Sequence, residues 1–166
     1  MKQLKLIIFV FILVLVQTLL SVYVNIYGIV PNVMLSFVIA YAMCGKELSY
    51  SIGASLLCGI MMSALSGRQF FMVMLIFLYS GVLSYMSENA RRKVPKWVKT
   101  AVFTAVFTLV GESIIYLLTN LTFSMNAFMG IIIPTVMINS LFSVPMYFIT
   151  RRFFCGAKKR HKHIIL

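Results

Sequence analysis

Aspartate does not occur in this chain, glutamate occurs three times, and both histidines stand within the last six residues. Hydrolases and transferases need paired acids, a nucleophile beside a base, or metal ligands within reach of one another. This inventory therefore points away from catalysis. His161 and His163 flank Lys162, whose charge disfavours a metal cation, so they read as solvated tail. Cysteine is scarce too. Cys44, Cys58 and Cys155 match no zinc or redox spacing, and their odd number argues against a disulfide framework. Each reads as a small hydrophobe, with Cys155 open to acylation in a eukaryotic host. No cofactor is expected.

What fills the chain instead is apolar. Of 166 residues, 61% are hydrophobic and 11% charged. A soluble domain of this length cannot hide so many apolar side chains, so the bilayer must be the solvent. The runs predict an all-α, polytopic membrane helix bundle of about six transmembrane helices, forming one domain. The expected spans are about 6–24, 29–44, 48–65, 70–86, 100–119 and 127–150, followed by a basic tail over 151–166. The first run superficially resembles a signal peptide, but no small-x-small cleavage site follows it, so it reads as an uncleaved anchor. Pro31 suits the first turn of the second span, where a missing N–H goes unpunished.

The net charge is +12, and the fifteen Lys and Arg lie almost wholly outside the apolar runs. That placement excludes nucleic-acid binding, which needs basic residues interleaved with base-contacting groups. With six spans, fourteen of the fifteen fall on one side and only Arg68 on the other. The positive-inside rule then places both termini and the 87–99 loop in the cytoplasm. Arg91, Arg92, Lys93, Arg151 and Arg152 form a basic patch there. Near anionic lipid each basic residue contributes on the order of 1 kcal/mol. An acidic protein surface would be attracted equally. Trp97 fits an interfacial anchor.

A few polar residues interrupt the apolar runs. Glu112 is the one acid inside a span, and insertion costs about 2.5–3.5 kcal/mol, so it should face protein or water. It reads either as a functional contact or as a carboxylate reaching the headgroups. Gln17 and Asn139 are uncharged equivalents that would bond across helices. Ser51, Ser55, Gly59, Ser63 and Gly67 recur every four residues and define a helix face open to close approach. That face serves either packing inside the bundle or a partner's helix. Pro134 and Pro145 shape the last span, with a kink expected at Pro145.

Taken in order, Gln17, then Gly28-x-x-Pro31-Asn32, then Gly53, Gly59 and Leu65-Ser66-Gly67, resemble the MreD family. Pro134-Thr135, Asn139-Ser140-Leu141, Pro145 and Arg151-Arg152 extend the resemblance over nearly the whole chain. That family comprises small polytopic rod shape-determining proteins of bacteria. The resemblance implies a fold similar to the substrate-binding subunits of energy-coupling-factor vitamin transporters. It also implies a non-enzymatic scaffold in the cell-elongation machinery of the plasma membrane. Its implied partners are an MreC-like single-span protein, a peptidoglycan glycosyltransferase and transpeptidase pair, and an MreB-like actin filament. The family commonly carries Asp four residues before the glycine closing the third span, where this chain has Ser63. Two rivals follow: a vitamin-binding transporter subunit, and an ion or proton carrier using Glu112. The charge partition makes a direct prediction. A C-terminal fluorescent fusion should glow in cells and a C-terminal alkaline phosphatase fusion should be inactive; the reverse pattern would invert the orientation.

Overall fold

The computed structural model describes residues 2–24, 28–44, 47–67, 70–88, 94–120 and 125–155. The helices are α1 (Lys2–Tyr23), α2 (Val33–Cys44), α3 (Leu48–Ser66), α4 (Phe70–Glu88), α5 (Lys96–Asn120), the single turn α6 (Met125–Ala127), a π-helical turn (Phe128–Ile132) and α7 (Ile133–Phe154). Among the described residues, five stretches are long and apolar enough to cross a membrane: Gln3–Tyr23, Leu48–Ser66, Phe70–Glu88, Lys96–Thr119 and Phe128–Phe154.

The second expected span is the exception. Its helix has 12 residues, about 18 Å at ~1.5 Å per residue, against a hydrocarbon core of about 30 Å. Helix α2 starts late because Asn32 caps it: the side-chain Oδ1 accepts the Leu35 N–H at 3.0 Å. Pro31 therefore lies in an extended lead-in, outside the first turn where the sequence had placed it. Ten of the twelve α2 residues are buried. A helix apolar on every side belongs in the middle of a bundle, and α2 lies there, packed against α3, α4, α5 and α7.

Small residues set how closely the outer helices approach. Along α3, Ser51 donates its hydroxyl to Gly81 O of α4 at 3.3 Å, and Ser63 Oγ lies 3.1 Å from Phe70 O. A Cβ on Gly59 would sit 3.1 Å from Met74 Cα and from Phe77 Cβ. The Ser51–Ser55–Gly59–Ser63 face is thus occupied by α4. Gly67 does not belong to it. With φ of 60° it closes α3 in a left-handed cap, its N–H reaching Ser63 O at 3.2 Å. On α5, Thr100, Thr104 and Thr108 are buried, as are Thr135, Asn139, Ser143 and Thr150 on α7; α5 and α7 pack along each other. Large apolar side chains such as Leu15, Val102, Leu141 and Phe148 point away from the bundle.

Helix α7 also departs from expectation at both ends. Pro134 stands at its start, just after the π-helical turn. A proline there leaves a preceding carbonyl without its usual i+4 donor, and a widened turn is one way the helix adapts. Pro145 lies inside α7, which continues to Phe154, so Arg151 and Arg152 form its last turn and are not yet tail. Cations there favour the negative end of the helix dipole. Arg91, Arg92 and Lys93 lie outside the described residues. Near this end, Cys44 and Cys155 form a disulfide with Cα atoms 5.5 Å apart, which corrects the expectation of three isolated thiols. The two are 111 positions apart; only the docking of α2 on α7 brings them together. Cys58 remains a free, buried cysteine.

The α3–α4 approach distance can be tested by overpacking. Gly59→Leu should lower stability by about 1–3 kcal/mol, read as a fall in the thermal midpoint in detergent. Leu141→Ala, on the exposed face of α7, should leave the midpoint nearly unchanged.

Candidate functional site

Backbone outside a helix must find hydrogen-bond partners wherever water is absent. The lead-in to α2 finds them on α1 and α7. Gln17 of α1, 5% exposed, donates Nε2–H to Pro31 O at 3.0 Å. Its Oε1 accepts the Val33 N–H, also at 3.0 Å. Asn139 of α7, 1% exposed, accepts the Asn32 N–H at 2.7 Å. The Asn139 Nδ2 in turn donates to Thr108 Oγ1 of α5 at 3.3 Å. Two amide side chains thus satisfy three consecutive residues of the lead-in, each from a different helix.

The opposite end of α2 is held in the same manner. Lys96 of α5 donates to Met43 O at 3.0 Å while pairing with Glu88 of α4 at 2.6 Å. Lys99 lies 3.7 Å from Glu88 and 3.5 Å from Ser87 O. The aromatic rings of Phe9, Phe37, Tyr41 and Phe154 pack together beside this end, with centroids 5.0–5.6 Å apart along the chain of neighbours.

Above the lead-in, at the end of the bundle away from Lys96 and Cys155, is a cavity of about 460 Å³. Its polar lining residues include Gln17, Asn32, Thr108, Glu112, Thr135 and Asn139, and its apolar ones Leu35, Met62, Val73, Ile76, Phe77 and Phe107. Glu112 is half-buried and has a partner within the chain.

Three of the polar residues singled out in the sequence, Gln17, Glu112 and Asn139, therefore converge on one site. Ser55, Gly59 and Ser63 do not reach it; they lie between α3 and α4. Sequence reasoning overlooked Thr108 and the capping role of Asn32. The recurrence of threonine at 100, 104 and 108 was the available signal, since it places three hydroxyls on one α5 face. No protein family, curated protein or solved structure matches this chain.

The amide contacts predict a specific pattern of damage. Gln17→Leu should cost about 1–3 kcal/mol by stranding buried backbone groups, and Asn139→Leu a similar amount. Because both hold one segment, the double variant should lose less than the sum. Thermal midpoints of the four proteins measure this coupling, and strict additivity would show that the two amides act on separate elements.

Proposed function

We propose that this chain is a non-enzymatic scaffold of the bacterial cell-elongation machinery, set in the plasma membrane and acting through its helix faces. The observation that carries the reading is the meeting of the residues on which the MreD resemblance rests. Gln17, Pro31, Asn32 and Asn139 are dispersed in sequence, with 107 positions between the last two. In the fold they form one hydrogen-bonded joint. Short motifs of small and polar residues in apolar helices carry little information singly, and their convergence on a single structural task supports reading them as a set.

The rest of the surface suits assembly. Outward-pointing Leu15, Leu19, Val102, Val106, Leu141 and Phe148 offer apolar faces to lipid or to a neighbouring span. The charge bias supports a cytoplasmic location for both termini, where Arg151 and Arg152 would meet anionic lipid or an MreB-like filament. An MreC-like single-span protein and a peptidoglycan glycosyltransferase and transpeptidase pair are the partners the resemblance implies.

The cavity favours a second reading, the substrate-binding subunit of an energy-coupling-factor type vitamin transporter. At about 460 Å³ it falls within the roughly 300–1,000 Å³ typical of small-molecule sites. Depletion of the protein separates the two. The scaffold predicts round or swollen cells and copurification with an MreC-like partner. Normal width and normal wall-precursor incorporation after clean deletion, without a paralogue, would overturn it.

A further inference from the structure

The cavity has a chemistry of its own, whichever assembly the bundle joins. Its mouth is marked by exposed Thr18, Ser21, Gly28 and Leu65. Beside them on α1, Leu15, Leu19 and Val22 are exposed, an apolar surface next to the lining residues Thr18 and Ser21. A cavity half lined by Met62, Phe77 and Phe107 would be a poor container for water alone, because such walls offer water no hydrogen bonds.

The described lining residues limit what they can hold. None of them is Lys, Arg or His, so none offers an anionic group a counter-charge. Glu112 has a partner within the chain. The remaining capacity is that of a hydrogen-bond donor. Asn32 uses its Oδ1 on the Leu35 N–H, and its amide Nδ2 makes no hydrogen bond among the described residues. Thr108 Oγ1 accepts from Asn139, and as a donor its hydroxyl likewise has no partner among the described residues. Two neutral donors in a cavity also lined by Met62, Phe77 and Phe107 select acceptor oxygens on an apolar body.

We propose that this cavity binds an uncharged amphiphile drawn from the membrane. Its ester or hydroxyl oxygens meet Asn32 and Thr108, and its apolar body lies against Met62, Phe77 and Phe107. The size suits a single-chain glycerol ester better than a two-chain phospholipid, whose phosphate would find no counter-charge among the described lining residues.

The test uses the full-length protein in phosphatidylcholine vesicles with two photoreactive probes that share an acyl chain bearing a diazirine. One is a monoacylglycerol; the other is the corresponding lysophosphatidic acid, which differs only in its phosphate. Crosslinks are mapped by mass spectrometry. The monoacylglycerol should label segments 62–66 and 107–115 at least fivefold more than the phosphate probe. Met62→Trp and Ile115→Trp, which fill the cavity from different helices, should each reduce that labelling at least fivefold. Labelling at Leu141 and Phe148, on the outer face of α7, should persist in both variants and report an intact bundle. Equal labelling of the cavity segments by the two probes would overturn the proposal. So would cavity labelling that survives both tryptophans, or labelling confined to the outer face. Failure here leaves the scaffold reading untouched, since that rests on partners and cell shape.

Discussion

A peptide group in hydrocarbon has nowhere to find a hydrogen bond except within the protein, and the architecture of this chain follows from how it meets that demand at α2. Five long helices satisfy themselves. The twelve-residue α2 cannot, so other helices complete it: Gln17 and Asn139 at one end, Lys96 at the other, with Asn32 as its own cap. The cost of burying the amides of Gln17 and Asn139 is offset because each is bonded where it lies. Replacing the joint with apolar side chains would leave backbone polar groups of Pro31, Asn32 and Val33 without partners inside the bundle.

That constraint also explains the distribution of small residues. For α2 to be enclosed, its neighbours must close around it. The α3–α4 pair does so by letting backbones approach at Gly59 and by pairing Ser51 with a carbonyl of the facing helix. The α5–α7 pair joins Thr108 to Asn139, with the small residues Thr100, Thr104 and Ser143 also buried. Dispersion between closely packed backbones has to hold such a bundle together, because lipid tails are as apolar as leucine and give helices little hydrophobic reason to associate. Polar contacts between the outer helices therefore lie inward, beside buried apolar side chains such as Phe37 and Phe77, while many other large apolar side chains point outward.

The long helices were legible in the sequence because hydropathy over twenty residues is a strong, local signal. Helix α2 was legible only as an apolar run. Its true start depended on Asn32 taking the cap, and proline at 31 suggested a turn that begins two residues earlier than the helix does. Gln17, Glu112 and Asn139 stood out as polar residues in apolar spans, yet nothing local could pair Asn139 with a peptide 107 positions away. The Cys44–Cys155 bond was hidden for the same reason. An odd cysteine count argued against it, and only the docking of α2 on α7 places the two side chains together. The serine and glycine ladder was visible as a face, but periodicity alone does not say what covers it.

Because the groups that complete α2 are spread along the chain, the bundle carries an implied order of biogenesis. A segment so short has little claim to insert by itself as it leaves the ribosome. Gln17 is synthesised before it, but Lys96 comes well after, and Asn139 belongs to the last helix. The hydrogen bonds that complete α2 can therefore all form only once α7 has been made. Helix α7 thus does more than add one side to the bundle. Its arrival closes the joint that Gln17 alone leaves unfinished.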